Sequence, residues 1–500
     1  MQPRSFTPAF LSLLLVGMAS VCGFQPPVTA AQPPPNVVLV MCDDLGWGDV
    51  GFNGNKVIRT PHLDEMARAG LTLTRFYAAS AVCSPTRGSV ITGRHPYRYG
   101  VTTANRGHMK QPEATLAELL HAKGYATGHF GKWHLGTLTT EVVESNRGGP
   151  RGAKDFSPPW RNGFDVCFST EAKTPTFDPM WKPRGRASRN GWDYIADKTQ
   201  AARYGTHYWN QRGEMVDDNL AGDDSRVIMD RAVPFIEKCG AERRPFFAVI
   251  WFHTPHLPVV AGPRHAAMYA KYDSYAKNYY GCITAMDEQI GRLRAVLKKA
   301  GVAENTLLTF CSDNGPEGKS TAPGSAGPFR GRKRDLFEGG VRVPGLIEWP
   351  AVVKGGKRTD YPAVTSDYLP TVLELVGAEL DDDRPIDGVS LLPVLRNNIR
   401  ERPRPIGFQF GGKMAWNDNR YKLVYYPKAA KAGNKNRNNN RNRKPASAAT
   451  GYMLFDLIDD PSEKNDLADE QPERVATMKK ALLAWQASCA ASDAGGDYSN

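Results

Sequence analysis

Much that would tie this chain to a membrane or to nucleic acid is missing. Past residue 30 no apolar run approaches the roughly 18 residues that a bilayer span needs, so no stable membrane insertion is expected. No recognisable nucleic-acid-binding motif accompanies the net charge of +12, and nucleic acid is not an expected partner. There is no internal repeat. The eight cysteines (Cys22, Cys42, Cys83, Cys167, Cys239, Cys282, Cys311, Cys489) show neither the density of a disulfide scaffold nor the paired spacing of a zinc site. Cys42 and Cys311 lie in apolar runs and read as small buried side chains. Acids are absent from residues 428–444, which carry seven Lys or Arg and so account for seven of the twelve net charges. This Asn-rich tract has no apolar period, and a disordered basic loop is expected over 428–447. It is as compatible with a solvated insertion as with attraction of an anionic polymer.

The N-terminus reads as a signal peptide over residues 1–30. Arg4 supplies a positive start, Phe10 to Val21 is too short an apolar stretch to span comfortably, and Val28-Thr29-Ala30 offers small residues for cleavage. A Pro-rich linker, 31–35, follows and breaks any helical continuation. Val21 is a poor residue before a lipidated cysteine, so Cys22 does not make this a lipoprotein. Export to the periplasm or the exterior is expected.

From residue 36 onward apolar runs alternate with amphipathic stretches. Asn36 to Met41, Tyr125 to Phe130, Pro245 to Phe252 and Asn305 to Cys311 suit strands buried on both faces. Thr115 to Lys123 and Ser274 to Ala300 suit helices. In the latter, Ile283, Met286, Ile290, Leu293 and Leu297 fall at three- and four-residue steps. The alternation predicts an α/β fold, a large mostly parallel sheet flanked by helices, over a domain of 36–400. Residues 140–225, rich in Gly, Pro, Trp and Arg, are expected to form irregular loops. Strands at 421–426 and 453–457 and a helix at 473–487 predict a C-terminal subdomain, 401–500, with an antiparallel sheet. Polar residues gather where the first strands stop: Asp43-Asp44, then Lys132 and His134, then His256, then Asp313-Asn314. Ligands of open α/β sheets bind outside the carboxyl ends of the strands, so four distant segments aim at one edge.

Five motifs sharpen this. They are Cys83-Ser84-Pro85-Thr86-Arg87 followed by Thr92-Gly93-Arg94, Gly131-Lys132-Trp133-His134, Thr254-Pro255-His256-Leu257-Pro258, Ser312-Asp313-Asn314-Gly315, and Gly331-Arg332-Lys333-Arg334 running to Gly340. Together they resemble the formylglycine-dependent sulfatases (arylsulfatase and N-acetylgalactosamine-6-sulfatase types) of the alkaline-phosphatase-like superfamily, from about residue 36 to 350 and more weakly beyond. The resemblance implies that a maturing enzyme oxidises Cys83 to formylglycine and that one Ca²⁺ is held by Asp43, Asp44, residue 83, Asp313 and Asn314. Four oxygen-donating side chains suit a hard cation, and Ca²⁺ tolerates irregular geometry better than Mg²⁺. Asn314 replaces the histidine that two-zinc phosphatase relatives place after this aspartate.

The implied reaction is attack of the hydrated aldehyde on sulfur, giving a covalent sulfated residue 83. His256, helped by Lys333, is the candidate acid, and His134 the candidate base that releases sulfate. Lys132, Lys333 and Arg87 are expected to neutralise sulfate oxygens, and Arg87 to position residue 83. Thr86 stands for the commoner serine, and Arg334 for a small residue. The implied substrate is a sulfated sugar or polysaccharide, with Gly324 to Phe329 resembling enzymes acting on sulfated galactose or N-acetylgalactosamine units. Trp160, Trp181, Trp192 and Trp209 serve either sugar stacking or loop anchoring. His253 lies near enough to His256 in sequence to reach substrate. Two competing readings remain: a non-catalytic sulfated-glycan-binding protein with unmodified Cys83, and a phosphatase or phosphonate hydrolase of the same superfamily.

Overall fold

The computed structural model describes residues 34–397, 399–427 and 451–498, and residues from Pro34 onward form one compact unit. The expected signal peptide, most of the expected Pro-rich linker and the basic tract 428–447 lie outside the described residues.

Strand β1 (Asn36–Cys42) is buried along its whole length, as its unbroken apolar run requires. Its odd-numbered side chains, Val37, Leu39 and Met41, enter one core, whereas Val38, Val40 and Cys42 enter another on the opposite face. Each such side chain contributes roughly 1.5–3 kcal/mol on burial. In chain order the other strands of this sheet are β2 (Leu71–Leu73), β3 (Ala126–Lys132), β4 (Val166–Thr170), β5 (Tyr208–Asn210), β6 (Met215–Val216), β7 (Phe246–Trp251), β8 (Thr306–Ser312), β9 (Gly345–Glu348) and β10 (Lys357–Thr359). The spatial order is β10-β2-β9-β8-β1-β7-β3-β4-β5-β6. The five central strands, β8-β1-β7-β3-β4, are parallel, with antiparallel pairs at both margins.

Helices cover both faces. From α1 (Pro61–Ala69), Leu63 and Met66 join α4 (Asp224–Glu242) and α5 (Ser274–Lys299) in the second core. On the other face lie α2 (Cys83–Thr92), α3 (Leu116–Ala122) and α6 (Tyr368–Val376). A separate antiparallel sheet comprises β11 (Ile406–Phe410), β12 (Lys413–Asn417), β13 (Tyr421–Tyr426) and β14 (Gly451–Asp456), packed by α7 (Pro472–Asp493).

One expectation is corrected. Residues 140–225 are not only loops, for they supply β4, β5 and β6 to the main sheet. These strands are five, three and two residues long and carry Ser, Thr and Asn, so no apolar period marks them. All seven described cysteines are free, buried thiols.

Candidate active site

The parallel register sets the site. Cys42 at the end of β1 pairs with Ser312 at the end of β8, so Asp43-Asp44 and Asp313-Asn314 emerge side by side. The Asp44 backbone N–H donates to Asp313 Oδ1 at 3.1 Å, and Asp313 N–H donates to the Cys42 carbonyl at 3.1 Å. Asp44 takes a left-handed conformation at φ 66°, which an aspartate tolerates better than most residues. Beside them α2 begins at Cys83, so the positive end of a ten-residue helix faces the carboxylates. The Thr86 hydroxyl donates to the Ser80 carbonyl at 3.0 Å and accepts from Ser80 N–H at 3.2 Å. A hydroxyl is what that turn uses, and threonine supplies it as serine would.

The cations are distributed unequally. Lys333 Nζ lies 2.5 Å from Asp44 Oδ1 and 3.5 Å from Cys83 Sγ. Burial alone would lower its pKa, but the Asp44 carboxylate prevails and raises it, so it is a standing ammonium. Lys132 Nζ donates to Asp43 Oδ2 at 2.6 Å. Arg87 donates to Asp313 Oδ2 at 2.6 Å and to the Lys132 carbonyl at 3.2 Å, over the Trp251 ring. Cys83, His134, His256 and Lys333 line a cavity of about 240 Å³, whereas Arg87 and Lys132 do not. These two hold carboxylates from beneath.

Burial pushes Asp43 upward, yet Lys132, His256 and Arg87 overcome this and hold it well below the usual range. In Asp313, burial and the neighbouring Asp43 charge push the carboxyl up to about 7. Asp43 Oδ1, Asp44 Oδ2 and Asn314 Oδ1 are buried oxygens with no hydrogen-bond partner. The Asn314 amide is oriented by its Nδ2, which donates to Asp44 Oδ1 at 2.7 Å. Ligand atoms of Asp43, Asp44, Cys83 and His256 all lie within 4.8 Å of one another. Buried carboxylates with an unpartnered oxygen, brought together as Asp43 and Asp44 are, are costly unless a cation meets them, and such oxygens suit a hard one. Asp313, whose oxygens already accept from Asp44 N–H and Arg87, is not in that group.

The histidines divide clearly. His256 Nδ1 donates to the Leu257 carbonyl at 2.7 Å, leaving Nε2 3.8 Å from Asp44 Oδ2. Burial, opposed by Asp43 and Asp44, lowers it to about 4. His134 Nε2 lies 2.9 Å from Asn105 Oδ1, an oxygen that also accepts from Asn146 Nδ2 at 2.6 Å. An amide oxygen cannot donate, so Nε2 carries the proton and buried, unpartnered Nδ1 carries the lone pair. Burial, with Lys132 and Arg147 nearby, keeps this ring neutral, its pKa well below 6.5. His253 does not reach the cavity. It is fully buried between Asp224 Oδ2 and Thr170 Oγ1, at 2.7 Å from each.

None of the four tryptophans named above lines the cavity. Trp209 is buried and donates to Glu144, Trp160 packs on a core, and Trp181 lies beneath Arg203. Asn105, Asn146, Lys173 and Arg189 do line it. Each is an isolated polar residue in an irregular segment, and the only signal in sequence was their place in loops between motif-bearing strands.

A family model described as Sulfatase matches residues 35–378. Mouse (Mus musculus) steryl-sulfatase is 32% identical, covering 95% of this chain and 84% of the mouse protein. Pig (Sus scrofa) N-acetylgalactosamine-6-sulfatase is 33% identical over 78% of this chain and 71% of its own. The crystal structure of Ps i-CgsB in complex with k-i-k-neocarrahexaose superposes with a TM-score of 0.72 at 27% identity, covering 90% of this chain and 92% of that one.

Proposed function

This chain belongs to the sulfatase family and is a sulfuric ester hydrolase, and from that premise we propose that it desulfates a carbohydrate, using formylglycine made from Cys83 and one Ca²⁺ at Asp43, Asp44, Asp313 and Asn314. The observation that carries this reading is the state of residue 83. As a thiol, Cys83 is pushed up to about 11 by burial despite Lys132 and Lys333, so at neutral pH it is protonated and a poor nucleophile. Yet it occupies a helix N-terminus, with an ammonium at 3.5 Å and orphaned carboxylate oxygens beside it. Such surroundings suit a different side chain at that position. When present, the hydrated aldehyde supplies a hydroxyl nucleophile, and the cation supplies the charge that activates it near neutral pH.

The chain's own residues then take distinct tasks. Lys333 neutralises the sulfate and the leaving oxygen. His256 Nε2 is the proton carrier for that oxygen, and an anion entering the cavity raises its pKa from the resting value of about 4. His134 Nδ1, with its free lone pair, accepts the proton whose loss releases sulfate. Lys132 helps to keep Asp43 ionised, and Arg87 holds Asp313 in register.

The carbohydrate reading is supported by four polar side chains on the cavity wall, Asn105, Asn146, Lys173 and Arg189, which stand among apolar Leu257 and Phe410. The pig relative is named for an amino sugar, and the k-i-k-neocarrahexaose in the solved relative points the same way. Maturation requires a formylglycine-generating partner, and residues 1–30 direct export. No described helix is long and apolar enough to cross a membrane.

The test is the mass of tryptic peptide Phe76–Arg87 from protein made in its native host. Conversion of the thiol-bearing Cβ to an aldehyde, with loss of the sulfur, is expected. Unmodified cysteine, in a host that matures other sulfatases, overturns the formylglycine reading. Cys83→Ala is expected to abolish turnover with an unchanged melting temperature, and full activity in that variant sinks the assignment of residue 83.

A further inference from the structure

The charges along the cavity wall do not balance. Its lining contains one acid, Glu317, and four Lys or Arg. Glu317 is already committed. Arg334 grips both its oxygens at 2.9 Å, Lys333 lies 3.7 Å away, and these contacts hold the carboxyl at about 2. Lys333 in turn is paired with Asp44. The other two cations, Lys173 and Arg189, have no side-chain partner among the described residues. Lys173 is half-buried just beyond β4. Burial and the like charges of Lys132, Arg189 and Lys333 lower its pKa, which is the signature of a cation cluster short of anions.

Arg189 is exposed, but its segment is pinned beside the His256 loop. Val259 N–H donates to the Asn190 carbonyl at 3.0 Å, and Gly191 bridges to Val259. A Cβ built at Gly191 would stand 2.0 Å from the Val259 carbonyl oxygen, at a φ of +142°, so that close approach needs glycine. Arg189 also stands where the cavity opens into a second one of about 700 Å³. The two share Arg189, Leu257, Glu317 and Arg334, and the outer one adds Tyr275 and a further unpaired cation, Lys319.

We propose that Lys173 and Arg189 form a second anion-binding subsite, and that the preferred substrate is a saccharide bearing, besides the sulfate that is cleaved, a further sulfate or carboxylate group. The inference rests on the carbohydrate sulfatase reading above. A monosulfated neutral sugar leaves both cations unanswered in a cavity that already pays to bury one of them. A second anion on the same or the adjoining sugar meets them, and the outer cavity receives the rest of the chain. Fixed cations beside a partly desolvated anion act mainly on binding.

The experiment compares kcat/KM of the enzyme matured in its native host on three substrates. These are a monosulfated neutral disaccharide, the same disaccharide with a second sulfate, and a monosulfated disaccharide containing a uronate. At least one dianionic substrate is expected to exceed the monoanionic one by about tenfold or more, mostly through KM, with the advantage shrinking as ionic strength rises. Whichever dianion gains identifies sulfate or carboxylate as the group held. In Arg189→Gln and in Lys173→Met the ratio between dianionic and monoanionic substrates is expected to fall towards one, and Arg189→Lys to keep part of it. Turnover of the monoanionic disaccharide with a ratio near one in the wild type overturns the second subsite and leaves the carbohydrate reading standing. Turnover of 4-nitrophenyl sulfate but of none of the three sugars removes both.

Discussion

His134 and Asn105 show how one polar contact decides chemistry at the scale of a residue. The Asn105 side chain accepts from two donors through one oxygen, which leaves His134 Nδ1 as the basic atom. Both residues hold positive φ, 69° for Asn105 and 58° for His134, so replacements must respect that backbone. Asn105→Gly keeps the conformation and deletes the acceptor. It is expected to lower kcat by about 10²-fold with little change in KM, since general-base catalysis is worth roughly 10²–10⁴. Asn105→Asp keeps an acceptor and adds a negative charge beside an imidazole that burial holds neutral. A carboxylate favours imidazolium, so the ring's pKa rises and the base becomes protonated at higher pH. The acid limb of the kcat–pH profile should therefore move to higher pH in Asn105→Asp, and an unmoved limb would argue that His134 is not the base. Cys83, Lys132, His134, His256, Asp313 and Lys333 could be picked out from sequence because each sits in a dense, recognisable run. Asn105, Lys173 and Arg189 could not, because a lone polar residue in an irregular segment resembles any solvated one until the fold brings it to the cavity.

At the scale of elements, the sheet's central strands were legible because burial on both faces forces continuous apolar runs, as in Val37 to Met41 and Phe246 to Trp251. The marginal strands were not, since β4 to β6 are short, and β4 ends in Ser169-Thr170. Nor did sequence reveal what the C-terminal sheet does for the site. Phe410, at the end of β11, lines the cavity. Lys422 of β13, fully buried, bridges Glu338 at 2.9 Å and Glu463 at 3.1 Å. Glu463 accepts from Glu338 N–H at 2.6 Å and its carbonyl accepts from Arg330 at 3.1 Å. Tyr426 OH accepts from Leu336 N–H, and Lys413 donates to the Arg334 carbonyl. The segment 330–338, which carries Lys333, is thus clamped by this sheet. Lys422→Met leaves two buried carboxylates facing each other and is expected to cost roughly 3–5 kcal/mol in urea unfolding. It should also reduce kcat at temperatures where the variant is fully folded. A destabilised variant with wild-type kcat would separate the clamp from Lys333.

For the molecule as a whole, the proposed cation site is a joint between segments far apart in sequence. Asp43 and Asp44 cap one central strand, Asp313 and Asn314 cap its neighbour, and Cys83 opens a helix on one face of the sheet. The unfolded chain has no such arrangement of oxygens, so a cation held there would bind the native state alone and stabilise it by RT ln(1 + [L]/Kd), about 4 kcal/mol at a thousandfold excess over Kd. A cation there would offset the burial and the Asp43 charge that push Asp313 up to about 7, and would meet the buried oxygens of Asp43, Asp44 and Asn314 that have no hydrogen-bond partner. Chelation is therefore expected to lower the melting temperature by several degrees as well as to abolish turnover. Added Ca²⁺ should restore both, with the melting temperature rising with the logarithm of its concentration, and Mg²⁺ should restore them less well because it demands stricter octahedral geometry. Asp313→Asn removes one of the three carboxylates and should weaken the Ca²⁺ dependence of melting. A melting temperature indifferent to chelator and Ca²⁺ in both proteins would mean that these oxygens hold no cation.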